Sequence, residues 1–168
     1  MRRTNALAVL ALLSLALAGS AEDKKETSSL TADAAALSEK SGSNGWVSDE
    51  VTVSMDDGQK KARGKLLIHF TADKGKPSGG LRLVIDHGTV KVGTAGRFEL
   101  VEKDGKQYVK VFSGVGGPKD KTEPEASATL EYTLKGDTLT VKDGVIRKTW
   151  AGWDVDLSKP VTFKAAGK

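Results

Sequence analysis

The sequence predicts an all-β protein, an antiparallel up-and-down barrel of about eight to ten strands with a short N-terminal helix; a β-sandwich is the alternative. After residue 45, apolar and polar residues alternate along most of the chain, which is typical of half-buried strands. The alternating segments are joined by short turns rich in glycine. No helical segment separates them, as the crossovers of a parallel sheet would require.

The N-terminus resembles a secretory signal peptide, which we assign to residues 1–21. Arg2 and Arg3 precede the apolar run Ala6–Ala18, which is too short to span a membrane as a helix. Small residues allow cleavage after Ala18 or after Ala21, and the sequence does not choose between them. We therefore expect an exported protein, periplasmic or extracellular.

A polar lead-in, residues 22–44, separates the signal peptide from the strands. It contains one predicted helix, Thr31–Lys40, and Gly42 is placed to end that helix. The remaining residues, 45–168, are predicted to form a single β-barrel domain.

The first predicted strands show their apolar residues on one parity. Trp46–Met55 and Lys65–Thr71 follow this pattern, and Leu81 to Ile85 continues it. A further short piece is predicted at Thr89–Val92. Asp57-Gly58 marks a turn after the first strand.

Two hairpins are predicted in the second half of the domain. Arg97–Phe112 turns at Asp104-Gly105, where glycine supplies the positive φ of a tight turn. Residues 130–134 and 139–141 are joined through Lys135–Asp137. A third turn is predicted at Asp143-Gly144, a closing strand at Val161–Lys164, and longer linkers at Asp73–Gly80 and Ser113–Glu125.

Composition excludes several classes of function. The 26 Lys and Arg and 22 Asp and Glu are interleaved along the chain, so nucleic acid is not an expected partner. The chain has no Cys and 2 His, which excludes disulfides and cysteine nucleophiles and argues against a His-rich metal site. After the signal peptide no apolar stretch is long enough to span a membrane as a helix. We expect a monomer without a cofactor.

The C-terminal half carries a recognisable pattern. Leu130–Val141 reads LEYTLKGDTLTV, Lys159–Ala165 reads KPVTFKA, and Gly96–Leu100 precedes both. This pattern resembles the tail of a lipocalin-like domain of uncharacterised exported proteins in planctomycete-type bacteria, in which a Y-x-L-x-G-D-T-L strand pair precedes an R-P-x-x-F strand. The resemblance, mainly in residues 96–165, implies an eight-stranded up-and-down barrel and export. It implies no catalytic residue.

Aromatic side chains are the candidate ligand-binding residues, because an eight-stranded barrel either fills with side chains or holds one small ligand. The segment 149–154 places two tryptophans beside a glycine, where they would plug one end of the barrel or bind a ligand at its mouth. The absence of disulfides favours a filled or nearly filled barrel. The candidates for the lining or mouth are Phe70, Phe98, Tyr108, Tyr132, Trp150 and Trp153.

Other polar motifs are interpreted as structural. His69 lies on the parity opposite to the apolar residues of its strand, and Asp86-His87-Gly88 is typical of a turn. Gly114 to Gly117 is glycine-rich but does not lead from a strand into a helix, as a phosphate-binding loop must.

The leading hypothesis is an exported, non-enzymatic lipocalin-like protein that binds a small apolar molecule. The alternative is a surface or matrix module that binds polysaccharide or protein through exposed Trp150 and Trp153. A hydrolase is ranked last, because no cleft residues for it can be named from the sequence.

Overall fold

The computed structural model describes residues 28–55, 60–88, 91–113, 127–146 and 153–166. Within these ranges lie one helix, α1 (28–41), and ten strands. The strands are β1 (Trp46–Met55), β2 (Lys60–Ala72), β3 (Ser78–Asp86), β4 (Lys91–Lys103), β5 (Lys106–Ser113), β6 (Ala128–Lys135), β7 (Thr138–Lys142), β8 (Gly144–Ile146), β9 (Trp153–Leu157) and β10 (Val161–Ala165).

The strands form a closed antiparallel barrel, which confirms the predicted fold class. The ten strands occupy eight positions around the ring, and each position is called a stave here. Strands β1 to β7 pair in sequence order. Strand β10 pairs with β7 on one side and with the first residues of β1 on the other, which closes the ring. Strand β9 pairs with the last residues of β1 and with β8. Thus β7 and β8 form one stave, and β9 and β10 form the next.

The Asp143-Gly144 pair does not reverse the chain, so the turn predicted there is wrong. Strand β8 continues along β6 in the direction of β7, and Asp143 lies between them with a φ of 66°. A side chain at position 144 would overlap Leu130 and place its Cβ 2.9 Å from the carbonyl oxygen of Thr129. The glycine therefore permits close approach of the two staves, while Asp143 absorbs the kink.

The predicted hairpins are confirmed. Asp104 and Gly105 have φ values of 55° and 69°, as the two central residues of a type I′ turn require. The β6–β7 hairpin turns at Gly136 and Asp137. Strand β4 is continuous from Lys91, so the expected separate piece at 89–92 is wrong where it is described. Asp57-Gly58 and most of the 113–125 linker lie outside the described residues.

The inner wall of the barrel is lined by side chains of one parity from every stave. In β3 the buried apolar side chains are those of Leu81, Leu83 and Ile85, and they alternate with more exposed residues. The buried side chains contributed by the other strands include Val53, Leu66, Phe98, Leu100, Val109, Leu130, Leu139, Ile146, Val155, Leu157 and Phe163.

Helix α1 covers one end of the barrel with an apolar face. Leu30, Ala34, Leu37 and Ser41 recur at helical spacing and are all buried. Burying the two leucines contributes roughly 1.5–3 kcal/mol each. Among the described residues, no helix is both long and apolar enough to cross a membrane.

Two hydrogen bonds hold α1 to two different parts of the barrel end, β1 and the β6–β7 turn. The Nε1–H of Trp46 at the start of β1 donates to the carbonyl oxygen of Leu37 at 2.9 Å. Lys40 donates to the carboxylate of Asp137 in the β6–β7 turn at 2.7 Å. The end that carries these contacts is therefore closed by the helix.

Candidate functional site

An aromatic pair lies inside the barrel near the helix-covered end. The rings of Phe70 and Phe98 meet edge to face, with centroids 5.1 Å apart and planes at 87°. Strand β3 lies between their strands, so the two rings meet across the concave inner wall. Trp46 and Phe163 are fully buried in the same core cluster. Edge-to-face geometry adds about 0.5–1.5 kcal/mol to the burial of such rings.

Tyr132 is buried in the same cluster, but its hydroxyl already has a protein partner. It donates to Asp33 Oδ2 of α1 at 2.9 Å. Burial raises the pKa of the Tyr132 phenol far above its usual range, and the nearby negative charge of Asp33 adds to this. The phenol therefore stays protonated and ties the barrel wall to the helix.

Tyr108 lies on the outer face of the barrel. Its neighbour Val109 is buried, so the Tyr108 side chain points to the other side of β5, opposite Glu131 in register. Of the six predicted binding residues, Phe70, Phe98 and Tyr132 are thus inside and Tyr108 is not. Trp150 and the side chain of Trp153 lie outside the described part of the chain, although the Trp153 backbone opens β9.

Two buried serines accept hydrogen bonds from backbone N–H groups at places where the strands do not pair regularly. Ser41 Oγ accepts the N–H of Phe70 at 2.9 Å and donates to the carbonyl oxygen of Leu37 at 2.9 Å. Ser48 Oγ accepts the N–H of Leu66 at 2.9 Å where β1 shifts register against β2. Among the described residues no buried side-chain nitrogen or oxygen lacks a partner. These serines are structural.

The histidine motifs agree with the structural interpretation. Asp86 Oδ1 accepts the N–H of Gly88 at 3.1 Å, which forms the predicted turn and lowers the pKa of Asp86. Lys91, 3.0 Å from the other carboxylate oxygen, lowers it further. His69 is half-buried on the outer parity of β2. Within the described ranges, no group of three or more potential ligands could hold a metal ion.

A carboxylate network crosses the outer wall beside Tyr108. Glu131 lies 3.0 Å from Lys106 Nζ and 3.1 Å from Lys142 Nζ. Hydrogen bonds from both lysines lower the pKa of Glu131, and the carboxylate in turn raises the pKa of Lys106 and Lys142. Asp143 lies 3.3 Å from Lys142 Nζ, so two carboxylates balance two lysines here, which is typical of a stabilising surface network.

The described part of the outer wall contains grooves, of which two are deep enough to consider. One, of about 410 Å³, lies beside β1, where the stave made of β9 and β10 is interrupted; Lys61 and Asp156 are among its lining residues. The other, of about 540 Å³, lies across β3, β4 and β5, with Arg97, Lys110 and Phe112 in its wall.

The second groove was missed by the sequence reasoning, although a signal for it existed. The two-residue turn at Asp104-Gly105 fixes the hairpin register and places Arg97 opposite Phe112 and Glu99 opposite Lys110. All four residues lie on the parity opposite to Phe98 and are therefore on the outer face.

Comparison of the chain with protein-family models, curated proteins and solved structures finds no match. The function must therefore be argued from the residues themselves.

Proposed function

We propose that this protein is an exported, non-enzymatic lipocalin-like barrel that binds a small apolar molecule in its interior. The observation that carries the proposal is a closed eight-stave barrel whose inner wall is apolar on every stave. The two buried serines in the described ranges, Ser41 of α1 and Ser48 of β1, both form hydrogen bonds with the backbone. Such a wall offers a ligand apolar contact and shape rather than charge.

The ligand would enter at the end opposite to α1. Helix α1 covers the end at which β1 begins and β10 finishes. At the other end lie Val111 and Ala128, which face each other in register and are buried. The aromatic pair Phe70–Phe98 would then form the floor of the binding site.

A fluorescent apolar probe, N-phenyl-1-naphthylamine, tests this proposal. We expect the purified protein to bind it with a dissociation constant on the order of 1 μM and a blue-shifted emission. Ala128→Phe places a phenyl ring in the interior of the barrel. It should weaken binding of the probe about tenfold or more, because the new ring occupies the space of the ligand. Thr129→Phe adds the same ring at the exposed neighbouring position and should leave binding unchanged.

Absence of probe binding to the unmodified protein would contradict the proposal. Equal weakening by both variants would contradict it too, since only position 128 faces inward. A thermal melt of each variant shows whether it is folded. If Ala128→Phe does not fold, Val111→Leu provides a smaller change at the facing position.

A second candidate function is an interaction module that binds polysaccharide through the outer wall. The observation that favours it is the groove across β3, β4 and β5, in which a half-buried Phe112 lies among cationic side chains. Exposed aromatic rings and hydrogen-bonding side chains on a rigid sheet are suited to stacking on sugars. Binding of an oligosaccharide that is unaffected by the apolar probe would favour this candidate over the first.

A further inference from the structure

The groove across β3, β4 and β5 is built on fixed backbone. Pro77 accepts the N–H of Leu100 at 2.7 Å through its carbonyl oxygen, which binds the β2–β3 turn to β4. Within that turn, Asp73 accepts the N–H of Lys76 at 3.1 Å and donates to the carbonyl oxygen of Ser78 at 2.8 Å. The position of Lys76 relative to the wall of β4 is therefore set by the backbone.

Arg97 and Phe112 form the centre of the groove. They are opposite each other in register, and the guanidinium carbon of Arg97 lies 5.9 Å from the centroid of the Phe112 ring. This contact holds the guanidinium beside an apolar surface, where water competes less for its hydrogen bonds. The ring and half-buried Pro77 are the apolar parts of the lining.

The groove carries an excess of positive charge. Its lining contains three cationic side chains, Lys76, Arg97 and Lys110, and one carboxylate, Glu99. The ion pair between Lys110 and Glu99 is long, 3.9 Å, and both side chains are well exposed, so it holds the lysine weakly. Elsewhere on the outer wall, as at Glu131, lysines lie about 3 Å from their carboxylates.

We propose that this groove binds the uronate units of an acidic polysaccharide. The sugar carboxylate would pair with Arg97, whose planar guanidinium matches a carboxylate in two parallel hydrogen bonds. The apolar face of the sugar ring would lie against the part of Phe112 that the Arg97 guanidinium leaves open to the groove, and Lys76 and Lys110 would pair with the carboxylates of adjoining units. A groove of about 540 Å³ on the side of a barrel suits a short segment of a chain. This inference rests on the second candidate function.

Trigalacturonate is the probe, and isothermal titration calorimetry at low salt is the measurement. Arg97→Gln removes the charge of the central donor and should weaken binding about tenfold or more. Phe112→Leu keeps an apolar side chain but removes the flat ring, and should weaken binding as well. Arg63→Gln is the matched control, because Arg63 is an exposed arginine on β2, away from the groove. It should bind like the unmodified protein.

Two further ligands test the chemistry. Maltotriose has sugar rings without carboxylates, and short polyglutamate has carboxylates without rings; we expect neither to bind comparably. Binding of polyglutamate as tight as that of trigalacturonate would overturn the proposal, since it would show ion exchange only. Unchanged affinity in Arg97→Gln, or no binding of trigalacturonate at all, would also overturn it.

The apolar probe separates this inference from the leading proposal. Measured on the same samples, N-phenyl-1-naphthylamine reports the interior, and trigalacturonate reports the outer wall. Arg97→Gln should therefore lose affinity for the uronate and keep its affinity for the probe. Loss of both would show a folding defect, which the thermal melt detects and which Lys110→Gln, a milder change at the rim, avoids.

Discussion

Ser41→Ala should destabilise the protein because it removes the hydrogen-bond acceptor of one buried N–H. Ser41 Oγ joins the N–H of Phe70 to the carbonyl oxygen of Leu37. The Leu37 oxygen keeps a partner in the variant, because Trp46 Nε1 also donates to it. The Phe70 N–H has no such replacement, and Ser41 is buried, so water does not replace the hydroxyl easily.

The size of the destabilisation follows from the loss of the hydrogen-bond acceptor of one buried donor, the Phe70 N–H. An unsatisfied buried N–H costs about 1–3 kcal/mol. Alanine in place of serine favours the helix by up to about 0.5 kcal/mol, which offsets part of the loss. We therefore expect a net decrease of about 0.5–2.5 kcal/mol in the free energy of unfolding. For a domain of this size that corresponds to a melting temperature roughly 1–10 °C lower.

Urea denaturation followed by far-ultraviolet circular dichroism measures the effect. Ser38→Ala, a half-buried serine in the same helix, shares the gain in helix propensity and serves as the control. We expect Ser38→Ala to be neutral or slightly stabilising. If Ser41→Ala lies within about 0.5 kcal/mol of that control, the assigned role of the buried hydroxyl is refuted.

Three other changes have definite expected outcomes. Tyr132→Phe should lower the free energy of unfolding by about 1 kcal/mol, because the hydrogen bond to Asp33 is lost and the half-exposed carboxylate is rehydrated. Gly144→Ala should destabilise by about 1–3 kcal/mol, since its Cβ overlaps Leu130. The pKa of Glu131 is lower in the folded protein than in the unfolded chain, so the ionised carboxylate stabilises the fold. This contribution is fully present above the unfolded-state pKa and is lost as the pH falls through the lower folded-state pKa. In Glu131→Gln the free energy of unfolding should therefore decrease less as the pH is lowered than it does in the unmodified protein.

Matched controls exist for each of these changes. Tyr108→Phe removes a phenol from the outer face, and Gly93→Ala places a Cβ in ordinary contact, 3.5 Å from a Val84 methyl. Both should be close to neutral in urea denaturation. Glu50→Gln, which removes a well-exposed carboxylate 3.9 Å from Arg63, should be close to neutral as well. Equal effects in a variant and its control would contradict the corresponding assignment.

The turn residues made the β4–β5 and β6–β7 hairpins predictable from the sequence. They did not predict that β7 with β8, and β9 with β10, would each share one position of the ring. Asp104-Gly105 and Asp143-Gly144 have the same sequence and both have positive φ at the aspartate. The first reverses the chain, and the second only kinks it, because β8 beyond it still lies against β6 and pairs with β9. Those contacts come from tertiary structure, which a dipeptide does not reveal.

The candidate site was predictable only in part. Inward positions for Phe70 and Phe98 follow from alternation, and the register of the β4–β5 hairpin could have placed Tyr108 outside. The hydrogen bond from Tyr132 to Asp33 joins residues that are far apart in sequence, so no local pattern predicts it. The buried hydroxyl of Ser41 is likewise explained only by where β2 ends against the helix.

The ring is closed by the two ends of the domain, and this has a consequence for folding. Trp46 pairs with Ala165, about 120 residues later, so closure carries the largest loop entropy of any pairing in the barrel. Strand β1 meets this last stave in two separate sections, through β10 and through β9. A nascent chain that lacks β10 would be an open sheet with one apolar face uncovered. The barrel can therefore close only after β10 has been synthesised, and truncation before β10 should leave an aggregation-prone sheet with two edges.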